Sequence, residues 1–217
     1  MSYKTGTSIA LFSVKKLILS RDRLGIKPLY YYFNNGTLVF ASDQHVVSEN
    51  SETKKELNNS ALLQYLSYRQ VLDGGTFFKN VYQVDPGTYL TFQGKKKFIE
   101  KFWEVPPICD KNKNNEKDLI IELDQILNSS VQYRMRADVP VGAFLSGGLD
   151  SSALVWEMSR MSKKPINTYS IGFKQKNYNE FEYAKLVASQ CKTNHHQITL
   201  NEDDYSSSLN QLINLKG

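Results

Sequence analysis

Val139–Arg160, VPVGAFLSGGLDSSALVWEMSR, is the stretch that decides how the rest of the chain is read. Val139 to Leu145 is a short apolar run without helical period, bounded by Pro140, and predicts a buried strand. Ser146-Gly147-Gly148-Leu149-Asp150 is a turn of glycines and small polar residues. From Ser151 onward, Ala153, Leu154, Val155, Trp156 and Met158 continue among good helix formers, with Ser151 or Asp150 as the expected cap.

Strand, double-glycine turn and helix start together make an anion cradle. Successive glycines let the main chain approach an oxyanion without interference from Cβ. The N–H groups of the helix's first turn point at the anion, and the macrodipole adds about half a positive charge there. The hydroxyls of Ser146, Ser151 and Ser152 supply further donors suited to phosphate oxygens. No Gly-Lys-Ser/Thr follows, which excludes the P-loop of nucleoside triphosphatases that cleave at the γ-phosphate.

Outward from this core the pattern alternates. Upstream, Leu119, Leu123, Ile126 and Ser130 mark one face of a helix running to about Arg136, where Arg134 and Arg136 complement the dipole. Downstream come a strand at Ile166–Phe173, an amphipathic helix at Asn179–Cys191, a strand at His195–Leu200 and a helix from Asp203. Strands joined by helical crossovers predict an α/β doubly wound parallel sheet with ligands at the strands' C-terminal ends. His195-His196 has no third ligand in sight and reads as a pair at the start of a strand rather than a metal site.

The N-terminal half has a different texture. Thr7–Val14 with Leu17–Ser20, and Pro28–Phe33 with Thr37–Ala41 around Asn34-Asn35-Gly36, predict two hairpins. Leu57–Tyr68 has helical spacing with Asn59 or Ser60 as cap. Strands at Val81–Val84, Thr88–Phe92 and Phe98–Trp103 follow, the first two flanking Asp85-Pro86-Gly87. Ile108–Asp118, polar and without period, reads as a linker, so domains are expected over 1–107 and 108–217.

Composition narrows the classes. Hydrophobic residues are 41% and charged residues 23%, ordinary for a soluble globular protein. The net charge of +5 comes partly from runs such as Lys95-Lys96-Lys97, which lack the aromatic or Arg interleaving of a nucleic-acid surface. Cys109 and Cys191 are the only cysteines and form no CxxC, which argues against a disulfide framework or zinc site. The N-terminal apolar run is too short for a signal peptide or membrane span, so a cytoplasmic protein is expected.

Ser146-Gly147-Gly148-Leu149-Asp150-Ser151-Ser152 resembles the SGGLDSS pyrophosphate loop of the ATP-pyrophosphatase family, and with Asp138-Val139-Pro140-Val141-Gly142 ahead of it is similar to the glutamine-dependent asparagine synthetase family. Arg21–Tyr32, RDRLGIKPLYYY, resembles the ARDRxGxKPLYY segment of the class II glutamine amidotransferase domain, an N-terminal-nucleophile hydrolase-like α+β antiparallel sandwich. Tyr65, Asp85–Tyr89 and Trp103 resemble later landmarks of that domain. Within it, Arg21 and Asp22 read as a structural pair fixing the turn into Pro28, in preference to an active-site ion pair.

The resemblance implies an adenine nucleotide α-hydrolase-like C-terminal part and a reaction. ATP adenylates the side-chain carboxylate of aspartate, pyrophosphate leaves, and glutamine-derived ammonia displaces AMP. By position, Ser146, Gly147, Gly148, Leu149, Asp150, Ser151 and Ser152 would hold pyrophosphate, and Asp150 would meet Mg²⁺. Phe144, Leu145 and Ile171 would line the adenine pocket, a role that apolar core residues also fit. The N-terminal Cys nucleophile of the family has no counterpart: the chain starts Met1-Ser2, and Cys109 and Cys191 are internal. No glutaminase activity and no catalytic residue are therefore expected. A second ATP-contact loop, the aspartate site and a catalytic Lys would lie after residue 217, so an internal piece, inactive alone, is expected, and a complementing polypeptide is an admissible partner. Two alternatives stay open, a related ligase such as a β-lactam synthetase and a non-catalytic ATP-binding remnant.

Overall fold

A computed structural model describes residues 8–13, 15–50, 52–53, 55–107, 115–173 and 179–216. Ser2, Thr7, Val14, Cys109 and the linker residues 108–114 lie outside the described residues. The chain divides into two compact units, Met1–Cys109 and Asp110–Gly217.

The first unit is built from two antiparallel sheets. Ser8–Ser13 (β1) and Lys16–Arg21 (β2) form the expected hairpin, and β2 continues onto Thr88–Gln93 (β6) and then Lys96–Lys101 (β7), in the order β1-β2-β6-β7. Tyr30–Asn34 (β3) lies between Thr37–Ala41 (β4) and Val81–Gln83 (β5). The β3–β4 turn places Asn35 and Gly36 at φ 49° and 93°, the pair of positive dihedrals that matches the twist of a two-residue hairpin. Asp85-Pro86-Gly87 is not a hairpin turn: it carries the chain from the sheet of β5 to the sheet of β6. In β6, Thr88, Leu90 and Phe92 face inward at a period of two. Leu90 and Phe92 meet Leu19, Leu29, Tyr31 and Val84 in a core that both sheets share. β7 begins two residues earlier than the sequence pattern suggests.

Arg21 and Asp22 fix the turn between β2 and β3, each on its own set of main-chain groups. The Arg21 guanidinium donates to the carbonyls of Lys27, Val84 and Gly25 at 2.9, 2.8 and 2.7 Å. The Asp22 carboxylate accepts from the amides of Leu24, Ile26 and Lys27. The structural role is the one occupied.

Two helices serve this unit. Gln44–Ser48 (α1), not foreseen in the sequence, is capped by the Asp43 carboxylate, which accepts from His45 N at 2.9 Å. Asn59–Tyr68 (α2) is capped by Asn58, one residue ahead of the expected cap, and ends at Arg69 in the left-handed region.

The second unit alternates as expected. Glu116–Arg134 (α3) starts on Asn115, whose side chain accepts from Asp118 N, so the first helical turn takes residues that the pattern gave to the linker. Arg134 donates to Ser130 O at 3.1 Å, and Arg136 lies over the Tyr133 ring. Then follow Gly142–Phe144 (β8), Leu149–Met161 (α4), Asn167–Phe173 (β9), Phe181–Gln190 (α5), Asn194–Leu200 (β10) and Glu202–Lys216 (α6). The three strands are parallel in the order β10-β9-β8. Val131 of α3, Val155 and Met158 of α4, and Ala184 and Ala188 of α5 join Leu145 and Ile166 in one core. Glu157, 2% exposed, is held inside by Arg160 Nη1 at 2.8 Å and Asn128 Nδ2 at 3.0 Å, which ties α4 to α3.

The sheet is covered on one face. α4 and α5 contribute to one and the same core, which puts both on one side of the strands, as the general right-handed rule for crossovers between successive parallel strands would have it. Thr168, Ser170 and Gly172 point inward, whereas Phe144, Tyr169, Ile171, Phe173 and Ile198 are exposed. Helices on both faces, as a doubly wound sheet requires, are not what these three strands with α4 and α5 display. No described helix is long and apolar enough to cross a membrane.

Candidate functional site

The chain passes from β8 to α4 through Leu145–Gly148, and this turn is laced by its own serines. Ser146 Oγ lies 3.0 Å from Ser151 Oγ, and Ser151 Oγ reaches Gly148 O at 3.2 Å. The amide of Ser146 donates to Ser151 Oγ and that of Gly148 to Ser146 Oγ. These bonds hold the two ends of the loop together. The expected cap is replaced by Gly148, which gives no side-chain cap, so the first-turn amides of α4 stay available to an outside acceptor. Asp150 sits in that first turn and is exposed.

The two glycines have separate tasks. Gly147 has φ +86°, and a Cβ there would come within 2.5 Å of Tyr183 Cβ and 2.6 Å of Ala184 N, so the loop packs directly on the first turn of α5. Gly148 has φ −69°, and its nearest neighbour to a Cβ is Ser146 Oγ at 3.4 Å. Close approach by a ligand is thus a reason for Gly148; Gly147 is required by its dihedral and by α5.

Beside the loop a cleft of about 270 Å³ opens at the C-terminal ends of β8 and β9, where a parallel α/β sheet carries its ligands. It is lined by Phe144, Leu145, Ser146 and Ser151, by Tyr169, Ser170 and Ile171, and by Glu180 and Phe181 at the start of α5. Phe144 is 77% exposed and Ile171 54%, so both offer apolar surface. Leu145 is 1% exposed and its side chain belongs to the core, which leaves its main chain to face the cleft. Gly147, Gly148, Leu149, Asp150 and Ser152 are not in the lining. The hydroxyl of Ser152 is buried and has no hydrogen-bond partner. Tyr169 and Ser170 went unnoticed in the sequence, although the period of two in β9 puts Tyr169 beside Ile171. Glu180 and Phe181 follow from the general rule that the segments after parallel strands build the site.

Asn179 fixes where α5 begins. Its side chain donates to Phe173 O and accepts from Phe173 N at 2.6 Å, extending β9 by a strand-like pair of bonds. Gly172 leaves room for Asn179 and the Phe181 ring. Of the two histidines, His195 turns inward with Nδ1 2.9 Å from Thr168 Oγ1, and His196 stacks on Tyr169 at 5.1 Å. Burial pushes the His195 imidazole below its ordinary value of 6.5, and His196 and Lys185 add to the effect. Among the described residues no three His, Cys, Asp or Glu side chains gather as a metal site. A cation at Asp150 would need its other ligands from phosphate and water, the usual arrangement for Mg²⁺.

Comparisons with known proteins bear on both units. Residues 122–216 match the family model "Asparagine synthase", and residues 8–103 match "Glutamine amidotransferase domain". A putative glutamine-hydrolysing asparagine synthetase 2 of Methanocaldococcus jannaschii is 38% identical over 91% of this chain and 39% of its own length. Asparagine synthetase 1 of Bacillus subtilis is 31% identical over 89% of this chain and 30% of its own. The chain therefore spans about two fifths or less of the length of these relatives. A glutamine phosphoribosylpyrophosphate amidotransferase structure from B. subtilis overlays 88% of this chain and 32% of its own at 13% identity, with a TM-score of 0.28, too loose to bear on the fold. With both family models matched in tandem and both relatives aligned across the two units, the chain belongs to the glutamine-hydrolysing asparagine synthetase family.

Proposed function

We propose that this chain carries the nucleotide-binding front of a glutamine-dependent asparagine synthetase: residues 1–107 are the later part of the class II glutamine amidotransferase domain, and 108–217 the first part of the ATP-pyrophosphatase domain. In the whole protein the reaction is ATP-dependent adenylation of the aspartate side-chain carboxylate, followed by amide formation with ammonia from glutamine. Elements of the whole protein beyond these residues, on the same or a complementing polypeptide, supply the rest of the site and wind the sheet on its second face.

The observation that carries the reading is the serine-laced loop, which presents an uncapped α4 N-terminus at the edge of a cleft with apolar walls. The residues suit ATP. Phe144 and Ile171 take the adenine, with Leu145 contributing its main chain. Ser146, Gly147, Gly148, Leu149, Ser151 and Ser152 surround the phosphates, with main-chain amides from the loop and first turn of α4 and hydroxyls from Ser146 and Ser151, which line the cleft. Asp150 takes Mg²⁺, which also cancels the repulsion between its carboxylate and phosphate.

The test is calorimetric titration with ATP–Mg²⁺. Wild type binds; Gly148→Ala weakens binding while keeping its fold, because only Ser146 Oγ stands near the added Cβ. Asp150→Ala weakens binding in Mg²⁺ more than in its absence. A folded wild type that takes up no nucleotide overturns the reading.

A further inference from the structure

On the helix-covered face of the parallel sheet, behind the cleft, four side chains join end to end. Thr193 Oγ1 is 2.8 Å from Thr168 Oγ1, and Thr168 Oγ1 is 2.9 Å from His195 Nδ1. His195 Nε2 is 3.5 Å from Ser170 Oγ, at the long end of hydrogen-bond range, and Ser170 Oγ donates to Leu145 O. Thr168 and Ser170 are buried, at 0% and 6% exposure. The series starts in the turn after α5, crosses β10 and β9, and ends on the last carbonyl before the Ser146–Ser152 loop.

Counting protons sets its direction for a neutral ring. A carbonyl only accepts, so the one proton of the Ser170 hydroxyl goes to Leu145 O. Towards His195, Ser170 then only accepts, and Nε2 must carry the proton. With the ring neutral, Nδ1 is left as an acceptor and takes the proton of Thr168, which accepts in turn from Thr193. All donors and acceptors in the series are matched with a neutral ring. The surroundings agree. Lys185 of α5 and His196 of the same strand both oppose a charge on His195, β9 faces it with the neutral Thr168 and Ser170, and Gln197, the next inward residue of β10, is also neutral.

We propose that His195 is a positioning residue for the nucleotide loop: in its Nε2–H tautomer it orients the Ser170 hydroxyl, which holds the Leu145 carbonyl and so sets the main chain entering Ser146. The proposal rests on the function proposed above only in naming a nucleotide as what the loop receives. Ser170 also lines the cleft, so the relay meets the site at two points.

Nuclear magnetic resonance on the whole chain tests it without nucleotide. The ring nitrogens of His195 report the Nε2–H tautomer, and hydrogen exchange at the Ser146 and Gly148 amides reports the loop. Ser170→Ala, which removes the bond to Leu145 O, and His195→Leu, which acts through it, speed that exchange up to about five- to tenfold, the worth of one hydrogen bond. His195→Gln keeps an N–H donor near the Nε2 position and restores protection. ATP–Mg²⁺ affinity falls by a similar factor in the first two variants and recovers in the third. An Nδ1–H tautomer, loop exchange unmoved by Ser170→Ala, or a Gln variant no better than Leu each overturns the relay. Should wild type fail to bind ATP while loop exchange follows His195 as expected, the nucleotide reading falls and the relay stands.

Discussion

Gly147→Ala places a methyl group where α5 already sits. The residue has φ +86°, and a non-glycine residue in the left-handed region costs about 1–2 kcal/mol. The new Cβ would lie 2.5 Å from Tyr183 Cβ and 2.6 Å from Ala184 N. Main-chain and Cβ atoms of a helix cannot swing aside as a flexible side-chain tip can, so overpacking adds about 1–3 kcal/mol. The sum, about 2–5 kcal/mol, is a large share of the ~5–15 kcal/mol that holds a typical domain folded. Gly148→Ala is the internal control. At φ −69° with only Ser146 Oγ nearby, alanine fits, and the change stays within about 1 kcal/mol in either direction. Urea unfolding in a Trp103→Phe background, where Trp156 on α4 reports the second unit, measures both. A lower midpoint with an unchanged slope is expected for Gly147→Ala. Equal midpoints for the two variants, or a larger loss at Gly148, would refute the assignment of Gly147 to packing.

Two further perturbations follow from hydrogen-bonded carboxylates. Burial works against the Asp22 carboxylate, yet the amides of Ile26, Lys27 and Leu24 and the Arg21 guanidinium hold it below its ordinary value of 3.8. A depressed carboxyl contributes stability above its unfolded value and loses it as pH falls through the folded one, so wild type weakens below about pH 4. Asp22→Asn has a flatter acid limb in urea midpoints taken from pH 6 to 3; parallel limbs would show the turn is held otherwise. Glu157→Ala strands the Asn128 amide inside the α3–α4 interface and costs about 2–3 kcal/mol, read by thermal unfolding, and Asn128→Leu in the same chain recovers part of it.

The strands and helices near the loop were legible because their periods are clean: Thr168, Ser170 and Gly172 alternate with Tyr169, Ile171 and Phe173, and the crossover helices are amphipathic. What stayed hidden depends on partners distant in sequence. The cap of α4 went to Gly148 because Ser151 spends its hydroxyl on the loop rather than on a first-turn amide. Leu145 reads as a pocket residue by position, yet one step along a strand reverses the side chain, and α4 and α5 cover that face. The short α1 has too little amphipathic pattern to announce itself, and its Asp43 cap looks like any turn residue. That β5 and β6 part into separate sheets depends on pairings with β3 and β2, which no local signal around Pro86 records. Arg21 and Asp22 lie between, since a dipeptide names its chemistry but not its acceptors.

The order β1-β2-β6-β7 has a consequence for synthesis on the ribosome. Leu17 of β2 pairs with Phe92 of β6, so the strand that covers the free edge of β2 is made ~75 residues after it. At roughly 5–20 residues per second, β2 spends several seconds with one edge of main-chain donors and acceptors unpaired. The exposed period of the β2 edge is therefore the interval while β3, β4 and both short helices are being made, and holdase chaperones acting on a nascent chain stalled before Thr88 would have the β1–β2 hairpin as their substrate.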